Sequence, residues 1–248
     1  MYIRNEWHLG RVVQIEHHYP GNYGAPGTPR QAKRERTPED IERQNRTNRA
    51  KKLQRLILTN FTSGDWHLVL KYRPGTRPGT YQEADKILKK FLTVMRLAYK
   101  KAGYEFKYIA VTERGKKGQA LHHHLVIEDI STDRLNAVKT VKKLWPGYQA
   151  FIDLYEDGDY EKLAEYIVKT ETKEEQEQGK TSYSRSRNLI TPKPIRKKLL
   201  RRKWPEIPKP KKGYYIVKES IVDGINPVTG YPYQHYTMKR LDQGGDSG

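Results

Sequence analysis

The chain has no cysteine. That excludes a disulfide framework and any thiolate metal site, and it permits a reducing cytoplasm. It has no apolar run of membrane-spanning length, and the polar opening Met1-Tyr2-Ile3-Arg4-Asn5-Glu6 does not read as a signal peptide. The expectation is a soluble, intracellular, cytoplasmic protein. Acidic residues are scarce: 29 Asp and Glu stand against 48 Lys and Arg, a formal charge of +19. The excess is spread along the chain rather than gathered on one amphipathic helix, so a nucleic acid fits better as partner than a membrane surface. There is no internal repeat. A complete phosphate-binding loop is also missing, because Gly179-Lys180-Thr181 is preceded by Glu174 where such a loop needs glycine. ATP is therefore not an expected ligand.

At 248 residues the chain can hold one well-cored domain with tails or a small appendage. Residues 20–36 are rich in Gly, Pro and basic side chains, so 1–36 reads as an irregular basic N-terminal segment. Thr37-Pro38-Glu39-Asp40 looks like a helix start, and the helix is expected to run to about Leu58. Trp66 to Tyr72 reads as a strand, and 82–102 as a helix stopped by Gly103. Tyr108–Glu113 and Ala120–Glu128 read as a hairpin. A helix over Ser131–Trp145 follows, then a strand over Gln149–Leu154 and a helix bearing Tyr166. This order predicts an α+β domain over 37–175, an antiparallel sheet with helices mainly on one face. Between Lys193 and Lys212 stand ten Lys or Arg and one acid, which reads as a solvated arm. A basic C-terminal extension with short strands is expected over 176–242, and a disordered tail over 243–248.

The chemistry concentrates in two places. In the strand His122-His123-His124-Leu125-Val126-Ile127, side chains alternate. His122 and His124 then share one face, while His123, Leu125 and Ile127 point to a core on the other. Ordinary strand histidines would also satisfy the composition, but the flanking pattern favours a pair of metal ligands. Glu113, across the hairpin, supplies a third ligand suited to Mg²⁺ or Mn²⁺; His67 and Glu128 are weaker candidates. On the later helix, Lys162, Tyr166 and Lys169 fall on one face. Flanking ammonium groups would favour the phenolate and make Tyr166 a nucleophile toward a phosphodiester. Arg114, Lys162, Arg185, Arg187 and Asn188 are candidate DNA contacts, with a further basic cluster over Arg196–Lys203.

The ordered set of strand, histidine pair and Tyr166-Ile167-Val168-Lys169 resembles the rolling-circle replication initiators of the histidine–hydrophobic–histidine (HUH) endonuclease superfamily. The likeness is greatest to the replication proteins of phages and related mobile elements of bacteria. It extends to Tyr23–Gly27, Val111-Thr112-Glu113, Leu163–Lys169, Ser186–Leu189 and Gly213-Tyr214-Tyr215. The resemblance implies a ferredoxin-like or RRM-like fold with an endonuclease domain over 37–175. It implies that Tyr166 attacks single-stranded origin DNA to leave a 5′-phosphotyrosine and a free 3′-OH. Mg²⁺ or Mn²⁺ would be held by His122, His124 and Glu113, with Lys169 orienting the phosphate. A bacterial host's helicase and DNA polymerase would be partners. The middle residue, His123, stands where an aliphatic residue is frequent in the family. Tyr160 or a second copy's Tyr166 could serve a second cleavage. Two rival readings remain: an HUH transposase or plasmid-mobilising relaxase with the same chemistry, and a non-catalytic nucleic-acid-binding module.

Overall fold

The computed structural model describes residues 1–20, 35–115, 120–154, 158–169 and 183–241. Most of the arm expected over 20–36, the tip of the hairpin turn, the polar stretch after Lys173 and the tail over 243–248 lie outside them. The elements begin with β1 (Tyr2–Leu9), β2 (Val12–His18), α1 (Pro38–Asn60), β3 (Trp66–Lys71), α2 (Tyr81–Lys101) and β4 (Tyr108–Arg114). They continue with β5 (Leu121–Ile127), α3 (Ala137–Leu144), β6 (Tyr148–Asp153) and α4 (Glu161–Lys169). The last are β7 (Ser184–Arg185), β8 (Ile195–Leu199), β9 (Tyr214–Ile225) and β10 (Pro232–Arg240). The chain divides into two compact units, one of Met1–Gln44 with Thr191–Gly248 and one of Asn45–Ile190.

The central unit is an α+β fold around an antiparallel sheet in the order β6-β3-β5-β4-β7, consistent with the ferredoxin-like expectation. Strand alternation gives the sheet two apolar faces. Leu68, Leu70, Ala110, Leu125 and Ile127 pack with Leu88, Phe91, Leu92 and Met95 of α2 and Val141 of α3. Ile109, Val111 and Val126, of opposite parity, pack with Leu53 and Ile57 of α1 and with Ala164 and Ile167 of α4. Helices therefore cover both faces, where the sequence pattern predicted mainly one. The apolar residues interleaved with the two ligand histidines require that second layer.

Local chemistry sets the joints. Both Asp65 oxygens accept backbone N–H groups, from Thr62 and Asp129, each at 2.8 Å. Its carbonyl accepts from Leu154, so one residue ties the entry of β3 to the ends of β5 and β6. α2 opens with a capping box in which Thr80 accepts from Glu83 N and Glu83 accepts from Gly79 N. α3 starts six residues later than expected. Ser131 bridges to Asn136, Thr132 caps a turn, and Asn136 is the true N-cap, accepting from Lys139 N at 2.8 Å.

The other unit holds a second antiparallel sheet, β8-β1-β2-β10-β9. Residues 1–36 were expected to be irregular, yet Tyr2–Leu9 and Val12–His18 form a strand pair there. The supposed solvated arm contributes the edge strand β8 and then packs on the sheet. Trp204 stacks on His17, Tyr19 donates to the Arg202 carbonyl, and Gln234 donates to the Glu206 carbonyl. Buried Glu6 is satisfied by Arg4, His8 and Lys211. A buried carboxylate with cationic partners lets a charged strand pass as core, which its hydropathy conceals.

Candidate active site

Register builds the site. β5 lies between β3 and β4, and its pairs place Glu113 opposite His122 and Val111 opposite His124. His122, His124 and Glu113 thus project from one face. Their ligand atoms lie within 4.8 Å of one another, a group able to hold a metal ion. Glu113 Oε2 is 3.1 Å from His124 Nε2 and 3.5 Å from His122 Nε2.

The remaining imidazole nitrogens are spoken for. His122 Nδ1 lies 3.3 Å from the Ala120 carbonyl, and His124 Nδ1 lies 3.1 Å from His67 Nε2. Both leave Nε2 toward the carboxylate. Burial first, then the neighbouring histidines, holds His124 down to about 3, so it is a neutral lone-pair donor. Two neutral-type nitrogen donors and one carboxylate suit a divalent ion such as Mg²⁺ or Mn²⁺.

α4 delivers the phenol. The buried Gln54 of α1 donates to the Asp159 carbonyl at 2.8 Å, and the Asp159 carboxylate accepts from Glu161 N. Between them Tyr160 takes a φ of 56°, a left-handed conformation unusual for an aromatic residue, and turns the chain into the helix. With Ala164 and Ile167 packed inward, Tyr166 faces the triad while its side chain stays 39% exposed. Its hydroxyl donates to Glu113 Oε2 at 2.5 Å and lies 3.2 Å from His124 Nε2. Burial, and then Glu113, pushes the phenol well above its ordinary value. The phenol is therefore protonated here, and its partner is a carboxylate, not the flanking ammonium groups that the helix spacing suggested.

The other predicted residues disperse. Lys162 and Lys169 are exposed on α4, the latter as its last residue. Arg114 is exposed at the end of β4, over the Tyr81 ring. Arg185 and Arg187 are exposed, and Asn188 donates to Glu105 at 3.3 Å. Glu128 pairs with Lys107, away from the triad. His67 stands behind His124, outside the triad; its alternation on β3 with Val69 was the available signal. Tyr160 packs against the α1–α4 core.

Residues 65–175 match the family model for the replication-associated protein ORF2. The match runs from the entry of β3 past α4 and so contains the triad and Tyr166. It agrees with the resemblance drawn from the motifs and supports a part in replication initiation. Searches of the curated proteins and of the solved structures each returned no match. Among the described residues, no helix is long and apolar enough to cross a membrane.

Proposed function

We propose that the chain is a rolling-circle replication initiator, a metal-dependent endonuclease and strand transferase that nicks and rejoins single-stranded origin DNA. The observation that carries this reading is the hydrogen bond from the Tyr166 hydroxyl to Glu113 within the Glu113–His122–His124 group. A nucleophile beside a ligand set is redundant in a protein that only binds DNA.

Tyr166 Oη attacks the scissile phosphorus, the bond from phosphorus to the 3′ oxygen breaks, and the 5′ phosphate remains on the tyrosine. The phenolic proton passes to Glu113 Oε2, to which it is already donated, and the departing 3′ oxygen takes up a proton to become the 3′-OH. His122, His124 and Glu113 would hold Mg²⁺ or Mn²⁺. When bound, the ion polarises the scissile phosphate and stabilises the charge that develops on it. Lys169 is placed one helical turn beyond Tyr166 to meet a phosphate oxygen. Arg114, Lys162, Arg185, Arg187 and Asn188 would contact the DNA backbone. The bond energy kept in the phosphotyrosine allows the reverse attack by a 3′-OH, which rejoins strands. The free 3′-OH primes a host polymerase, and strand opening falls to a host helicase.

The test is a denaturing gel of labelled single-stranded DNA from the protein's own element, incubated with wild type or Tyr166→Phe in Mn²⁺ or EDTA. A covalent adduct that needs the metal and vanishes in the variant is expected. An adduct that persists in Tyr166→Phe moves the nucleophile elsewhere; tight binding without any adduct removes the catalytic reading.

A further inference from the structure

The rung of the sheet that carries two triad residues continues past β5. Glu113 pairs with His122, His122 with Lys71, and Lys71 with Tyr148, so four side chains stand in line on one face from β4 to β6. Two residues along, the same face ends at Ala150 and then at Ile152. α1 and α4 cover the apolar part of this face on β4 and β5, but its β6 margin is open: Tyr148 is 59% exposed, Ile152 is 42% exposed, and Lys71 is exposed. Tyr148 lies two strands from His122, roughly 10 Å across the sheet.

This margin is held from beneath. The buried Trp145 donates its indole N–H to the Lys71 carbonyl at 3.0 Å. Gln149 donates to the carbonyls of Trp145 and Gly147 at 3.0 and 2.8 Å. The chain passes Lys71 so closely that a Cβ on Gly147 would fall 1.9 Å from its carbonyl oxygen. A glycine, an indole and a side-chain amide thus fix the start of an edge strand whose first side chain is a solvent-facing tyrosine.

We infer that Tyr148 is a stacking platform for a base flanking the scissile phosphate, and that Lys71 meets the phosphate between platform and triad. The inference rests on the proposed nicking reaction for its choice of occupant. An aromatic face with a cation beside it suits a single strand, whose bases stack while its phosphates need neutralising. A protein partner fits less well, because Lys71 interrupts the apolar shelf. Pairing with a second copy would use the backbone edge of β6 and leave its face unread.

The experiment is fluorescence anisotropy in EDTA with a thymidine oligonucleotide of about fifteen residues, so that binding is read without cleavage. Tyr148→Ala is expected to weaken binding by about tenfold or more, and Tyr148→Trp to retain it. Lys71→Gln should reduce the slope of log affinity against log salt by about 0.7. Under adduct-forming conditions Tyr148→Ala should raise KM and leave kcat unchanged. Binding by Tyr148→Ala within about twofold of wild type would overturn the platform. So would an affinity loss accompanied by a fall in sedimentation coefficient, which would make β6 a self-association edge. Tyr166→Phe, binding normally in EDTA, keeps this outcome separate from that of the catalytic reading.

Discussion

His67 stacks on His124 with ring centroids 5.3 Å apart, and its Nε2 lies 3.1 Å from His124 Nδ1. If His124 offers Nε2 to a metal, its Nδ1 carries the proton and donates it to His67, which must then hold its own proton on Nδ1. Burial pushes His67 down to about 4, which keeps it in the neutral form this arrangement needs. His67→Leu removes the acceptor, while His67→Gln keeps one. Mn²⁺ titration by calorimetry should show about 10- to 100-fold weaker binding for the leucine variant and a smaller loss for glutamine. Equal affinity in all three would assign His67 to packing alone.

His123 shows what its non-aliphatic side chain does. It lies on the opposite face, with Tyr72 Oη 2.6 Å from Nε2 and Thr112 Oγ1 2.9 Å from Nδ1. Burial drives it down to about 3, so a single neutral tautomer accepts from Tyr72 and donates to Thr112. Tyr72→Phe strands a buried nitrogen and should destabilise the protein by about 1–3 kcal/mol in urea denaturation. Combined with His123→Leu, the loss should be smaller than the sum, since the second change removes the stranded group.

Much of this site was legible in the chain because β5 reports itself twice. Alternation separated His122 and His124 from His123, Leu125 and Ile127, and the hairpin brought Glu113 alongside. What remained hidden depends on partners distant in sequence. Nothing near Glu6 reveals that Arg4, His8 and Lys211 surround it, so β1 read as a polar segment. The partner of Tyr166 was misjudged for the same reason: helix spacing names Lys162 and Lys169, but sheet register decides that Glu113 faces the phenol. Val111 and Val126 did carry the signal for helices on the second face.

In the other unit, His17 sets a pH limit on stability. Burial first holds it below its ordinary value, against the opposing effects of Gln234 and Asp223, while Arg4 and His18 lower it further. Trp204, Tyr2 and Tyr236 surround its ring. The unfolded imidazole therefore binds a proton at a pH where the folded one does not. Stability from this group is fully present above about pH 6.5 and falls as pH drops toward the depressed native value. Urea midpoints near pH 7 and near pH 5 should diverge more for wild type than for His17→Gln, with a slope difference of at most about 1.4 kcal/mol per pH unit.

The carboxylate of Glu113 is asked to do two things, and substitution can separate them. As a ligand it offers an oxygen toward His122 and His124; as a base it accepts the Tyr166 proton through Oε2. Glu113→Gln keeps a carbonyl oxygen and can still accept the phenol's hydrogen bond, but it cannot take the proton or supply negative charge to a cation. Glu113→Asp keeps charge and basicity and withdraws both by one methylene. If proton transfer dominates, single-turnover adduct formation at saturating Mn²⁺ should fall by about 10²-fold or more in the glutamine variant, and raising the pH should recover part of it as solvent base replaces the carboxylate. If the ligand role dominates, the glutamine variant should instead need more Mn²⁺ and then reach the wild-type rate. DNA binding in EDTA should be unchanged or tighter in Glu113→Gln, because one negative charge leaves a surface that meets phosphate. Weaker binding there would mean that Glu113 orders the strand β4 rather than serving the reaction.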